Sequence, residues 1–477
     1  MAKPPEARKP EARTRVVAGA VLARRRDGLD DLWPELQPIA EARALALQFQ
    51  FEASQWWAPE RLLRAQLEQA RKVIRHAART VPFYAKRLAA VARSPAGRLT
   101  MEAFREIPVL SREEIQDAGP ALRTTALPDG HGPRFPTRTS GSTGQPIEVE
   151  STALTATMLQ ALTMRGHLWH GRDLTASSVV FRPSRSGTAA AGPRRWAPLP
   201  GGGPSILIDM DLPIEAILDA LLEADPVYLQ SQPNILRGLL RSSAESGRKP
   251  TKLVEVRAYG ETLDDFLREQ CREIWGVEIV DNYSAEEFGT IAHQCPESHN
   301  LHVQAENVLV EVLDDEGRAC GPGQAGRVVV TGLHNFATPL IRADIGDNAR
   351  VGPPCACGRG LPVLEEVLGR QKDLVHRPSG EASYPRVWRE FADVPEIRQF
   401  QLVQQRLDTI ELRLVVSETL SAAAEDRLRS LVNDRLGYDF KLPIVYVGGI
   451  ERAPGGKYVL FRSDLTEAEI VAREDAT

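Results

Sequence analysis

Cysteine is scarce in this sequence, five residues in 477, which excludes a disulfide-stapled secreted scaffold. No apolar run approaches the ~18 residues that a membrane span requires. The nearest, Val16 to Ala23, is interrupted by Gly19 and closed by Arg24, Arg25 and Arg26. A secretory signal needs a longer apolar stretch and a small-residue cleavage site after it, so a cytoplasmic protein with no membrane span is expected. Basic residues are not in excess: 59 Lys and Arg stand against 64 Asp and Glu, a net charge of −5. That leaves no broad positive field for a nucleic-acid backbone, and no nucleic-acid partner is expected. Internal repeats are lacking, and compositional bias is confined to residues 1–30, rich in Pro, Ala, Arg and Lys. This stretch cannot bury enough apolar surface to offset its ordering entropy and reads as a disordered tail.

What is present is an ordinary globular composition, 42% hydrophobic and 26% charged, in a chain long enough for two to four units at roughly 100–200 residues each. From Pro59, Leu62, Leu63, Leu67, Ala70, Val73, Ile74 and Ala77 recur at helical spacing, predicting a core-facing helix. The middle of the chain alternates strand-like runs (Val179–Phe181, Ser205–Ile208, Val227–Leu229, Leu253–Tyr259, Val277–Val280) with helical patterns (Pro213–Leu222, Leu263–Trp275). Such alternation predicts a largely parallel α/β sheet. Asn307–Leu313 and Gly326–Thr331 flank Asp314-Asp315-Glu316-Gly317 and read as a β-hairpin. After Gly369-Arg370 the pattern changes to strands at Ile397–Gln404 and Thr409–Val416, a helix at Ala422–Leu436 and a glycine-rich loop at Gly455-Gly456. The expected fold class is therefore α/β, with a large domain over residues 31–370, mostly parallel in its sheets, and a small mobile α+β domain over residues 371–477.

Two clusters carry chemistry. Thr137 to Pro146 packs two glycines and five hydroxyl side chains into a loop ahead of the strand-like Ile147–Val149. Glycines let backbone N–H groups converge on an anion and hydroxyls add donors, so the loop suits a triphosphate. It lacks the lysine that follows the second glycine in the common phosphate loop. The second cluster joins Cys355 and Cys357, two residues apart, with His293, Cys295, His299 and His302 upstream. Zinc takes four N or S ligands in a tetrahedron, which two ligand-rich loops can supply; buried thiols and surface histidines without a metal are the alternative.

The string TSGSTGQP, Thr139 to Pro146, resembles the phosphate loop of the acyl-adenylate-forming superfamily, and within it the phenylacetate–CoA ligase family. Further matches follow in order: VPFY at Val81–Tyr84, IPVLSREEI at Ile107–Ile115, DNYSAEEFG at Asp281–Gly289, PLIRADIGD at Pro339–Asp347, CACGRGLP at Cys355–Pro362, LGRQKD at Leu368–Asp373 and GGK at Gly455–Lys457. The resemblance implies a fold with a large ATP- and acid-binding domain and a small hinged domain. It implies a two-step ligase that forms an acyl-AMP from ATP and a small-molecule carboxylic acid, then passes the acyl group to a thiol, most simply CoA. A carrier protein or an amine is the alternative acceptor, and a silent nucleotide-binding scaffold is the reading from another class.

Carried over residue by residue, the resemblance gives Thr139, Ser140, Gly141, Ser142, Thr143 and Gly144 the ATP phosphates. Gly260 and Glu261 would form the turn beside the adenine, with Asn282 and Tyr283 on the base. Glu287 would bind Mg2+, Asp347 both ribose hydroxyls, and Arg370 would lie beside the ribose. Asp373 falls at the hinge, and Lys457 is the lysine that stabilises charge during adenylation. Cys295, His302, Cys355 and Cys357 match a zinc pattern of close relatives, implying a structural Zn2+. Two departures stand out. Glu286 fills a position where the family carries a hydroxyl, and Arg377 to Pro385 replaces a glycine-containing segment linked to the acceptor, so the acceptor stays open. The acid pocket is expected from segments near Phe181, Gln230–Pro233, Ala258–Gly260 and Ser284–Gly289. The identity of the acid and the oligomeric state, a homodimer included, are left open.

Overall fold

The computed structural model describes residues 37–89, 91, 98–138, 147–182, 194–197, 201–386, 388–392, 394–450, 459–466 and 469–470. The tail 1–30, the phosphate-loop residues Thr139 to Gly144 and Lys457 lie outside the described residues.

A mixed 12-stranded sheet dominates. In one half, Pro204–Asp209, Ser178–Arg182, Tyr228–Ser231, Glu255–Tyr259 and Glu278–Ala285 lie side by side and parallel. Parallel neighbours need long crossovers, and the helices Ile214–Ala224, Pro233–Ser246 and Asp265–Trp275 provide them. Each of these helices stops in a left-handed residue, Asp225, Gly247 and Gly276. Their apolar stripes, including Ile217, Leu221, Leu236, Leu239, Leu267 and Trp275, close one core against Val179, Phe181, Leu229, Val256, Ala258 and Ile279.

Parallel pairing stops at Glu278–Ala285. From there the order Gly289–Gln294, Leu301–Val303, Val363–Arg370, Ala343–Val351, Ala325–Gly332, Val308–Leu313 is antiparallel throughout. The sheet is thus parallel in one half only; in the other, most neighbouring strands are joined by connections too short to cross over. The expected hairpin is there, its turn closed by Asp314, whose side chain accepts the Arg318 N–H at 2.8 Å. Helix Pro59–Thr80 lays Leu67, Ala70, Val73, Ile74 and Ala77 on this half, against Ile291, Leu301 and Val308 among others. Leu63 departs from the expectation: it is exposed, because one residue beyond Leu62 is a 100° turn off the apolar stripe.

The C-terminal unit is a four-stranded sheet in the order Ile444–Tyr446, Thr409–Val416, Ile397–Arg406, Phe461–Ser463. Helix Ala422–Leu436, capped by Ser421 and ended by left-handed Gly437, buries Leu428, Val432 and Leu436 against it. Among the described residues no helix is long and apolar enough to cross a membrane.

One buried ion pair fastens the entry segment to the antiparallel half. Arg342 donates from Nε to Glu311 at 2.8 Å and from a terminal nitrogen at 3.2 Å, both side chains almost fully buried. Its other terminal nitrogen donates to the carbonyls of Arg105, at 2.7 Å, and Ile107. Breaking such a pair on one side leaves a buried charge uncompensated, at a cost of about 3–5 kcal/mol. Arg342→Met is therefore expected to lower the unfolding free energy of the large domain by that order. Arg342→Met with Glu311→Leu is expected to be less destabilised than the single variant. A single variant within about 1 kcal/mol of wild type by urea unfolding would show that the pair does not hold the segment.

Candidate functional site

The site is assembled where the antiparallel half meets Glu278–Ala285. Strands Ala343–Val351 and Val363–Arg370 pair so that Asp347 stands opposite Arg370. The Arg370 Nε lies 3.7 Å from Asp347 Oδ1, and the Tyr283 hydroxyl donates to Asp347 Oδ2 at 2.9 Å. Burial, joined by the Asp347 charge, raises the Tyr283 phenol well above its ordinary range, so it stays a donor. Gly346, with φ of +76°, provides the turn that delivers Asp347, its N–H bonded to Asp344 at 2.8 Å.

Glu287 points toward the same cluster. Burial raises its carboxyl pKa, opposed by Arg112 and Arg370 and reinforced by Asp347. The adjacent Glu286 is exposed on the side of Tyr259, whose environment registers its charge. Both acids lie in the turn that follows strand Glu278–Ala285, Glu286 exposed and Glu287 only partly so, and they serve different spaces.

Arg112 is the residue that sequence reasoning missed. It was part of the matched string Ile107–Ile115 but drew no role, because an arginine just inside a helix start ordinarily faces solvent. Ser111 and Glu114 form a reciprocal capping box that fixes the helix start. Leu110 bonds to Arg342 and Asp344 at 2.8 and 2.9 Å, placing the next turn beside the site. The Arg112 guanidinium consequently faces Glu287 and Asp347, with a buried Nε that has no hydrogen-bond partner among the described residues. Its one sequence signal was its place in the matched string Ile107–Ile115.

At the far end, Gly260 has φ of +77°, a conformation that suits glycine. Glu261 accepts the Asn234 N–H at 3.0 Å, at the start of helix Pro233–Ser246. Asn282 lies opposite Tyr259 in register, and its buried Oδ1 has no partner among the described residues, an acceptor ready for an N–H group. Asp373, in the short turn after Val363–Arg370, has its carboxyl pushed up to about 6 by burial, opposed by Lys372 and Arg370. Tyr384 donates to the Gly369 carbonyl at 3.2 Å, tying the following segment to this turn.

The cysteine cluster forms on the same sheet, away from these residues. Cys295 ends strand Gly289–Gln294, His302 sits on Leu301–Val303, and the loop holding Cys355 and Cys357 leads into Val363–Arg370. Their four ligand atoms lie within 4.8 Å of one another. Cys355 Sγ is 3.8 Å from Cys295 Sγ, and Cys357 Sγ is 3.3 Å from His302 Nε2. Zinc–sulfur bonds of ~2.3 Å at tetrahedral angles separate two sulfurs by about 3.8 Å. The Glu297 N–H donates to Cys295 Sγ, and the Asn300 amide to Cys355 Sγ. His293 does not join: its Nε2 lies 2.9 Å from the Leu162 carbonyl.

Comparison with known proteins finds the chain similar to one group. The AMP-binding enzyme family matches residues 63–338, and the CapK C-terminal domain matches residues 384–464. The chain is similar to the phenylacetate–coenzyme A ligase of Thermus thermophilus, 26% identical over 83% of this chain and 95% of that one. The corresponding ligase of Pseudomonas putida is 24% identical over 66% of this chain and 72% of its own. Among solved structures, 2-hydroxyisobutyryl-CoA ligase in its postadenylation state shares the fold with a TM-score of 0.66 at 18% identity, covering 86% of this chain and 91% of that one.

Proposed function

The chain belongs to the AMP-binding enzyme family, and on that premise we propose that it is an ATP-dependent acid–thiol ligase forming an acyl-AMP, with CoA as the acceptor. The observation that carries the reading is the convergence of Tyr283, Glu287, Asp347, Arg370 and Arg112 from four separate segments. Likeness to two phenylacetate–coenzyme A ligases supports the acid and the thiol.

In this reading Thr139, Ser140, Gly141, Ser142, Thr143 and Gly144 cradle the triphosphate, and the orphaned Asn282 Oδ1 accepts from the adenine amine. Tyr283 presents its ring to the base while its hydroxyl fixes Asp347, leaving that carboxylate to receive ribose hydroxyls beside Arg370. The raised pKa of Glu287 reflects a carboxylate short of compensation, which suits a ligand for a hard cation. Mg2+ bound there supplies neutralisation of phosphate charge. Arg112 adds a fixed cation on the phosphate side. A carboxylate oxygen of the acid attacks the α-phosphorus and the bond to pyrophosphate breaks; Lys457 offsets the charge that builds on the bridging oxygens. In the second step a thiolate attacks the acyl carbonyl and AMP leaves with the bonding pair. Asp373 is the pivot between the two arrangements.

Pyrophosphate exchange into ATP, screened over carboxylic acids without acceptor and followed by product analysis with CoA, tests this reading. Lys457→Ala is expected to cut acid-dependent exchange by ~10²–10³. Transfer from supplied acyl-AMP to CoA should be far less affected. Exchange at the wild-type rate would remove Lys457 from the mechanism.

The cysteine cluster fits a structural zinc, since four protein ligands leave no position for substrate. About one zinc per chain is expected in protein purified without chelator. Cys355→Ser with Cys357→Ser should lose metal and thermal stability together, because metal-binding free energy is then folding free energy. Zinc-free protein of full stability would overturn the assignment.

A further inference from the structure

Three arginines and one carboxylate meet on the face of the parallel half-sheet that its crossover helices do not cover. Alternation along Glu255–Tyr259 sends Val256 and Ala258 into the helix-covered core and Glu255, Arg257 and Tyr259 to the other side. Gln230 and Val280 flank Arg257 in register on the two neighbouring strands. Arg182, at the end of Ser178–Arg182, lays its guanidinium 4.8 Å from the centre of the Tyr259 ring.

The charges on this face do not balance. Glu255 is taken by Arg172, whose Nε donates to it at 2.6 Å while another nitrogen donates to the Gly166 carbonyl at 2.8 Å. The Arg257 side chain makes no hydrogen bond or ion pair with any described residue; it feels Glu255 at longer range, and Arg172 and Arg182 repel it. Burial, with that repulsion, pushes its guanidinium down to about 9. Three histidines near it carry no negative charge to offer, and their ring nitrogens lie on other groups: His167 on Arg172, His170 on the Gln294 carbonyl and His293 on the Leu162 carbonyl. Of the acids on the Tyr259 side, Glu261 caps a helix start and Glu286 is exposed.

Arg257 is also deep in the domain and yet partly accessible, as is Asn282 on the next strand. Arg257, Tyr259 and Asn282 lie on the same face of the sheet, Asn282 opposite Tyr259 in register. Phe181 and Ala258, in two of the segments expected to supply the acid pocket, pack into the helical core.

A cation with little water around it and no anion at hydrogen-bond distance favours a ligand that brings the opposite charge. We propose that the acid activated here carries a second anionic group, a carboxylate, received by Arg257 at the floor of the acid pocket. The inference rests on the ligase reading above. Arg257 precedes the Gly260 turn by three residues, roughly 10 Å along a strand. The two carboxylates of the substrate are accordingly separated by a spacer of several carbons or a benzene ring.

The test compares acids matched in skeleton by pyrophosphate exchange on the intact protein: adipate with hexanoate, terephthalate with 4-methylbenzoate, and benzene-1,4-diacetate with phenylacetate. At least one dicarboxylate is expected to exceed its partner by ~10² or more in kcat/KM, because a site built for a polar group is left with it unpaired when the analogue lacks it. Arg257→Leu should reduce that ratio at least tenfold, and Arg257→Lys should retain part of it. Should the leucine variant fail to fold, the wild-type ratio and the lysine variant still decide. Exchange driven by monocarboxylates alone, or a ratio that Arg257→Leu leaves intact, overturns the inference and upholds the ligase. Absence of exchange with every acid sinks both.

Discussion

The buried pair between Arg342 and Glu311 is the constraint from which the site's geometry descends. Arg342 is held with φ of +51°, a conformation a non-glycine residue adopts at a cost, and its guanidinium spends every direction on the fold. Two of its bonds neutralise Glu311, and the others draw in the carbonyls of Arg105 and Ile107. The Arg342 backbone then accepts the Leu110 N–H, and Leu110 in turn accepts the Asp344 N–H. One side chain thereby fixes two segments at once: the strand that carries Asp347 and the helix start that carries Arg112. A site whose members arrive from distant parts of the chain needs such a fastening, because each member is useful only in register with the others.

The same logic explains why the titratable groups here are displaced from their ordinary ranges. Glu287, Tyr283 and Asp373 are all raised by burial, while the cations that could compensate, Arg112 and Arg370, are shared among several acids. An arrangement that stabilised each group fully would leave nothing for a ligand to complete. By contrast, the charged pairs that serve only the fold, such as Arg342 with Glu311 and Arg165 with Glu306, are close and hydrogen-bonded on both sides. The difference between satisfied and unsatisfied burial separates scaffold from site more cleanly than burial itself.

Much of the fold was legible in the sequence. Strand and helix periods placed Ser178–Arg182, Thr409–Val416 and Ala422–Leu436 within a residue or so, because core-facing stripes are written in local spacing. Beyond the hairpin of Val308–Leu313 with Ala325–Gly332, the direction of pairing in the antiparallel half was not legible, since short apolar strands look alike whichever way their neighbours run. For the site, ordered motifs brought together Tyr283, Glu287, Asp347 and Arg370, and the four residues of the cysteine cluster. Arg112 escaped because an arginine just inside a helix start ordinarily faces solvent, and Arg257 because a missing partner leaves no trace in a linear pattern.

How the C-terminal unit meets the sheet bears on what the two half-reactions need. Arg389 reaches Glu269 at 2.8 Å, Arg398 pairs with Glu245, and Arg386 pairs with Glu366, each joining the C-terminal unit to the large sheet and its helices. All six side chains keep a third or more of their surface exposed. Exposed pairs of this kind contribute about 0–1 kcal/mol each and are screened by salt. Three of them can select an orientation but cannot lock it, whereas the apolar core of the unit, with Leu412, Leu414, Leu428 and Val432 fully buried, holds its interior fixed. The unit is thus rigid within, and these three exposed pairs contribute at most a few kcal/mol to fixing its orientation.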